Sequence, residues 1–150
     1  MRTNLRDRQA GFTLVELLVV ILIISIVASI ALVALMNALD KARQRGTMAD
    51  MRTVSKAIEA YFVDFGHPPS DAGGAPGLAP ALIPYQTSVL PMQDRWTHVF
   101  TYVSDPASGM YSIESWGKDG IDGADITVAA RMDFDLDIVL ANGIFVSSPE

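Results

Sequence analysis

Residues 12–36, FTLVELLVVILIISIVASIALVALM, decide how the rest of the chain is read. The only charge in this stretch is Glu16. From Leu17 to Met36 run twenty uncharged residues. As a helix they would cover about 30 Å, the thickness of a bilayer's hydrocarbon core. Apolar side chains occupy every face, which marks a lipid-buried helix rather than an amphipathic one. A core helix of a soluble protein is seldom so long and so uniformly apolar.

The pattern changes after Met36 without a break. Residues 37–66, NALDKARQRGTMADMRTVSKAIEAYFVDFG, hold no proline and one internal glycine, Gly46. Met51, Val54, Ile58, Tyr61, Phe62 and Phe65 recur at spacings of three and four, with Arg52, Lys56, Glu59 and Asp64 between them. This spacing predicts an amphipathic helix with one face for a core. Gly66, Pro68 and Pro69 end it. A single helix from Phe12 to Phe65 would be about 80 Å long, its first half suited to lipid and its second half carrying a domain.

Residues 67–94 read as loop, with Pro68, Pro69, Pro76, Pro80, Pro84 and Pro91, and a short helix is expected over Leu78–Ile83. Two strands are expected at His98–Val103 and Met110–Trp116, joined by the turn-forming residues 104–109. A third stretch, Asp137–Val146, is interrupted by Asn142-Gly143, a dipeptide favoured in tight hairpin turns. The fold class that follows is α+β, with a long N-terminal helix packed on a small C-terminal antiparallel sheet.

At 150 residues the chain has room for one modest domain. The absence of cysteine excludes a disulfide framework and any thiolate ligand or nucleophile. The net charge of −6 hides an asymmetry. Residues 1–11 hold Arg2, Arg6 and Arg8 against Asp7, and residues 40–59 hold Lys41, Arg43, Arg45, Arg52 and Lys56 against Asp40, Asp50 and Glu59. From residue 60 onward twelve acids face only Arg95, Lys118 and Arg131. Such a head repels phosphate backbones, so nucleic acid is not an expected partner, while cations are attracted. His67 and His98 lack a nucleophile or acid partner at a recognisable spacing, and Asp64, Asp71 and Asp94 are scattered and expected to be solvated. No phosphate-cradling loop, His-x-x-x-His or nucleophile elbow is present. The expected role is not enzymatic.

An ordinary secretory signal is cut beyond its apolar stretch, and Ser29-Ile30-Ala31 offers such a site. The unusual feature lies ahead of that stretch, where Gly11 separates the basic start from Phe12 and Glu16 follows five residues later. A carboxylate at the bilayer centre costs about 2.5–3.5 kcal/mol on insertion scales. Cleavage after Gly11 would give Phe12 a positive amine, a counter-ion for Glu16 of an adjacent subunit. The alternative for Glu16 is to snorkel to the interface or to be protonated.

Residues 8–17, RQAGFTLVEL, resemble the prepilin leader of type IV pilins and type II secretion pseudopilins. The resemblance implies a leader at 1–11, cleavage after Gly11 by a membrane aspartyl prepilin peptidase, and methylation of the Phe12 amine. It implies a transmembrane and filament-core helix over 12–36, an amphipathic half over 37–66 and a periplasmic head over 67–150. Thr13 and Glu16 would then serve assembly of a homo-oligomeric filament, reached from membrane lipid. The basic leader stays in the cytoplasm, so the chain crosses the inner membrane once with its head in the periplasm. The bases at 41–56 oppose that orientation by simple counting, and the resemblance assigns them instead to charged contacts between packed rods. Many relatives have proline at the position of Val33, and this chain lacks that kinking residue.

Asp119, Asp122, Asp125, Asp133, Asp135 and Asp137 fall within nineteen residues, with Gly117, Gly120 and Gly123 among the first of them. By their spacing these acids form either a solvated loop or a flexible calcium site. An EF-hand is excluded, because Ala130 stands where a closing Glu is needed. Tyr61–Pro69, YFVDFGHPP, is similar to the Tyr…Asp-x-Gly-x-x-Pro signature of the major pseudopilin of type II secretion. Asp94-Arg95-Trp96 and Tyr102 are similar to its Asp-Pro-Trp-Gly…Tyr stretch, with Arg95 and Thr97 departing, and residues 111–120, YSIESWGKDG, to its Tyr…Ser-x-Gly-x-Asp-Gly segment. Members hold calcium in that loop. The resemblance implies Asp119, Asp122 and Asp125 as ligands with the carbonyls of Ser115 and Trp116, or Asp135 or Asp137 in place of Asp125. It further implies a pseudopilus subunit working with minor pseudopilins and an inner-membrane assembly platform. A type IV pilus subunit for adhesion or motility, and a monomeric membrane-anchored cation-binding periplasmic protein, remain the alternatives.

Overall fold

The structure is a computed structural model and describes residues 11–71, 74–123 and 133–148. It is α+β. The order is α1 (Leu14–Phe65), α2 (Ala75–Leu82), β1 (Thr101–Asp105), β2 (Met110–Ser115), β3 (Ile138–Ala141) and β4 (Ile144–Ser147). The chain divides into two compact units at Ala38/Leu39. In the first unit every described residue is exposed. The apolar window is one a bilayer would accept by length and composition.

The second unit has its own core. Its sheet is a meander in the order β1-β2-β3-β4, antiparallel throughout. Tyr102 lies opposite Ile113, Ile113 opposite Leu140 and Leu140 opposite Phe145. Period-two alternation thus sends Tyr111, Ile113, Ile138 and Leu140 inward. They meet Met51, Val54 and Ile58 of α1 and Leu78 and Leu82 of α2, all fully buried. Asn142 and Gly143 both have positive φ, 48° and 83°, the conformation that a two-residue hairpin turn demands.

The buried seam of α1 reads Asp40, Gln44, Thr47, Met51, Val54, Ile58, a strict alternation of four and three. Its first half is polar, so apolar periodicity does not reveal it. At the other end, Phe62 and Phe65 are exposed rather than core residues. The apolar cluster reaches only as far as a partly buried Tyr61. Phe65 stacks on Tyr61 with ring centroids 4.3 Å apart, and Phe62 lies over Gly109 in the β1–β2 turn.

Two other expectations shift. The short helix starts at Ala75, because Gly74 at φ 89° turns the chain and Pro76 suits a first helical turn. The strand expected from His98 begins at Thr101. His98–Phe100 pairs instead with the segment before it, through Asp94 N–H to His98 O at 2.8 Å and Phe100 N–H to Met92 O at 3.0 Å.

Candidate functional site

At the start of α1, Thr13 and Glu16 form a reciprocal cap. The Thr13 amide and hydroxyl donate to Glu16 Oε2 at 2.9 and 3.1 Å, and the Glu16 amide donates to Thr13 Oγ1 at 3.2 Å. Thr13 is the residue before the first helical position and Glu16 is the third within it, so two otherwise orphaned donors are satisfied together. Thr-x-x-Glu ahead of an apolar run is the sequence signature of such a cap. Gly11 and Phe12 precede the helix and are exposed, and a Cβ at Gly11 would meet nothing within 4 Å.

The second place lies between β2 and β3. Glu114 from β2, Asp122 from the loop and Asp137 just before β3 each present a carboxylate oxygen, and these atoms all lie within 4.8 Å of one another. Asp137 is fully buried, Glu114 partly so and Asp122 exposed. The Gly123 amide donates to Asp137 Oδ2 at 2.8 Å and draws the loop onto that buried acid.

The loop is pinned on several sides. Gly117 adopts φ 61°, and a Cβ there would stand 2.8 Å from the carbonyl oxygens of both Phe134 and Leu136. Only glycine permits that approach. The Lys118 amide donates to Phe134 O at 2.8 Å, and Gly120 N–H to Trp116 O at 3.2 Å. The Lys118 ammonium donates to Asp40 Oδ2 at 2.8 Å, while Arg43 reaches Asp40 Oδ1 at 3.3 Å. The Lys118 hydrogen bond holds the Asp40 carboxyl below the usual aspartate range, and the same bond raises Lys118. His98 Nδ1 lies 3.0 Å from Gly117 O.

Asp94, expected to be solvated, is buried instead. It accepts from the Trp96 and His98 amides and from the Ser115 hydroxyl, each at 2.9 Å. It therefore anchors the end of β2, where the loop begins.

Of the aspartates marked in the sequence, the structure brings together Asp122 and Asp137. Asp119 stands outside the trio, its Oδ1 accepting from Ile121 N–H at 3.1 Å. Asp135 is exposed and also outside it. The Trp116 carbonyl already accepts from Gly120, and Asp125 lies outside the described residues. Glu114 lies ahead of the aspartate-rich stretch, and its one sequence signal is an acid at the strand end that opens the loop.

Calcium takes hard oxygen ligands at 2.3–2.6 Å, so two ligands of one ion lie no more than about 5 Å apart. The trio meets that limit with an all-carboxylate donor set. Its mutual repulsion is of the kind a divalent cation relieves. The residues present fit the ion.

A family model described as a prokaryotic N-terminal methylation motif matches residues 6–32. A second, type II secretion system protein G, matches residues 34–130. The chain belongs to the protein G family of type II secretion systems. It is 34% identical over 130 residues to the type II secretion system core protein G of Aeromonas hydrophila, covering 80% of this chain and 90% of that protein. Its identity to the Escherichia coli K12 core protein G is 33%, over 76% of this chain and 85% of the relative. The Klebsiella michiganensis protein is 32% identical over 80% of this chain and 91% of its own length. Family membership extends beyond the N-terminal motif, since the second match covers residues 34–130.

Proposed function

We propose that the chain is a structural subunit of a type II secretion pseudopilus. The observation that carries this reading is the first unit itself: a capped apolar helix whose described side chains are all exposed. Water is not a tolerable surrounding for such a surface. Lipid covers it before assembly and other copies of the helix cover it afterwards. Cleavage after Gly11 by a prepilin peptidase leaves Phe12 as the terminal, methylated residue, one position ahead of the Thr13–Glu16 cap. The new amine then lies close to a carboxylate, in its own chain or in a neighbour.

The head stands in the periplasm, and assembly proceeds through minor pseudopilins and an inner-membrane platform. Glu114, Asp122 and Asp137 would hold calcium, which supplies cross-linking of the β2–β3 loop in a chain without disulfides. Mass spectrometry of the mature protein tests the reading. A terminus at methylated Phe12 is the expected result, and one at Leu32, after Ser29-Ile30-Ala31, overturns it.

A further inference from the structure

Cations gather at the start of the second unit. Lys41, Arg43 and Arg45 are exposed on α1, and the β2–β3 loop adds the exposed Lys118. The one acid of α1 between residues 37 and 49 is Asp40, which is buried and takes Arg43 at 3.3 Å and Lys118 at 2.8 Å. A single carboxylate therefore stands against two cations. Lys41 and Arg45 make no ion pair among the described residues. The next acid along the helix, Asp50, is engaged by Arg95 at 2.6 Å, and Asp119, which follows Lys118, accepts from the Ile121 amide.

At 3.6 residues per turn, Arg45 stands about 40° and Arg43 about 200° around the helix from Lys41, and Asp40, with Lys118 upon it, about 100° away on the other side. Positive charge thus encircles the helix. A protein partner would meet one side of such a collar, whereas a layer of lipid headgroups meets all of it. Lys41 and Arg45 follow Met36, the last of the uncharged run, by five and nine residues. At the helical rise they stand about 8 and 14 Å beyond it. The headgroup layer on each side of a bilayer is about 5–8 Å deep. Lys41 is at its level, and the long stem of Arg45 reaches back toward it. Arg52 and Lys56 stand about 24 and 30 Å beyond Met36, out of reach and more than a screening length away.

We infer that Lys41 and Arg45, with Arg43 and Lys118 beside them, bind the phosphates of anionic phospholipid headgroups while the subunit is still in the membrane. The inference rests on the membrane-anchored part of the reading above and names the lipid class that surrounds the anchor. The guanidinium offers paired N–H donors to phosphate oxygens, and the ammonium a compact charge. In the orientation proposed above these bases lie on the side where counting of positive charge disfavours them. Headgroup phosphates supply their counter-charge there.

The full chain in phosphatidylcholine vesicles, with a trace of spin-labelled phosphatidylglycerol or spin-labelled phosphatidylcholine, tests this. Electron paramagnetic resonance compares how strongly the two labelled lipids associate with the protein. Lys41→Gln with Arg45→Gln is expected to lower the preference for phosphatidylglycerol about fivefold, the factor that one base near an anionic surface supplies. Arg2, Arg6 and Arg8 are the same in every chain and give a constant background. Arg52→Gln with Lys56→Gln is expected to leave the preference unaltered. Tryptophan-monitored melting checks that each head is folded. An undiminished preference in the first variant, or an equal loss in the second, overturns the inference. So does an unaltered chain that floats with the vesicles yet associates equally with both lipids. A chain that does not float with them overturns the membrane-anchored reading itself.

Discussion

Arg95 donates its main-chain N–H to Thr47 Oγ1 across 3.0 Å, joining the loop before β1 to the buried polar half of the α1 seam. Thr47 is fully buried. The Arg95 guanidinium also reaches Asp50, one helical turn on, at 2.6 and 2.9 Å. In the resembling family stretch this position is proline, which has no N–H to offer. The departure is thus matched by a threonine that uses the donor. Arg95→Pro is expected to destabilise the head by about 1–3 kcal/mol, the cost of a buried hydroxyl losing its partner. Trp96 and Trp116 are the only tryptophans, so fluorescence of the full chain in detergent reads head unfolding directly.

Thr97 is the second departure, and it has the opposite sign. Its φ is 78°, a left-handed conformation in which a β-branched side chain is strained. The glycine of the family pattern would adopt it freely. Part of the gain is lost to the greater freedom of glycine in the unfolded chain. The net expectation for Thr97→Gly is a head more stable by about 1 kcal/mol, measured by denaturant midpoint with unchanged slope.

These two positions show what the sequence could and could not disclose. Apolar periodicity found Met51, Val54 and Ile58, and alternation with Asn142-Gly143 found the last hairpin, because both signals are local. The polar stretch Asp40–Gln44–Thr47 obeys the same spacing but carries no apolar signal. Its burial depends on partners 48 and 78 positions away, Arg95 and Lys118. Glu114 was hidden for a similar reason. Its neighbours in space come from both sides of a loop whose closure no local pattern encodes.

Acid and alkali should each find a different weak point. Asp40 is held below its ordinary range by Lys118, so the folded head resists protonation more than the unfolded chain does. That stability is present above the ordinary aspartate pKa of about 3.9 and is lost as pH falls through the lowered folded value. At the other extreme, burial first of all pushes Tyr111 up to about 12. Tyr102 is also raised, again chiefly by burial. A raised folded pKa means stability that is complete below the unfolded value of about 10 and disappears toward 12. The melting temperature should therefore fall over that alkaline window. Tyr111→Phe should flatten the fall, since no phenol remains to ionise, while lowering stability near neutrality by about 1 kcal/mol through its lost bond to Ser55 at 2.9 Å. A Tyr111→Phe head whose melting temperature falls over the alkaline window as steeply as that of the unaltered head would contradict this assignment.

For the proposed cation site two sets of ligands make different predictions. In the geometric set, Asp137 is the buried member, held to the loop by Gly123, and Glu114 and Asp122 complete it. Asp119 instead closes a local turn with Ile121. Calcium at one hundred times its dissociation constant would stabilise the head by about 2.7 kcal/mol if it binds only the folded form. The increase in melting temperature on adding calcium should be abolished by Glu114→Gln and by Asp122→Asn, and should persist in Asp119→Asn. Loss of the response in Asp119→Asn with its retention in Glu114→Gln would move the site toward the centre of the loop and discard the trio. Gly117→Ala provides an independent check, because its methyl would press on the Phe134 and Leu136 carbonyls without removing any carboxylate. Such a variant should bind calcium more weakly through a displaced loop, whereas a site that formed independently of that loop would leave its affinity unaltered.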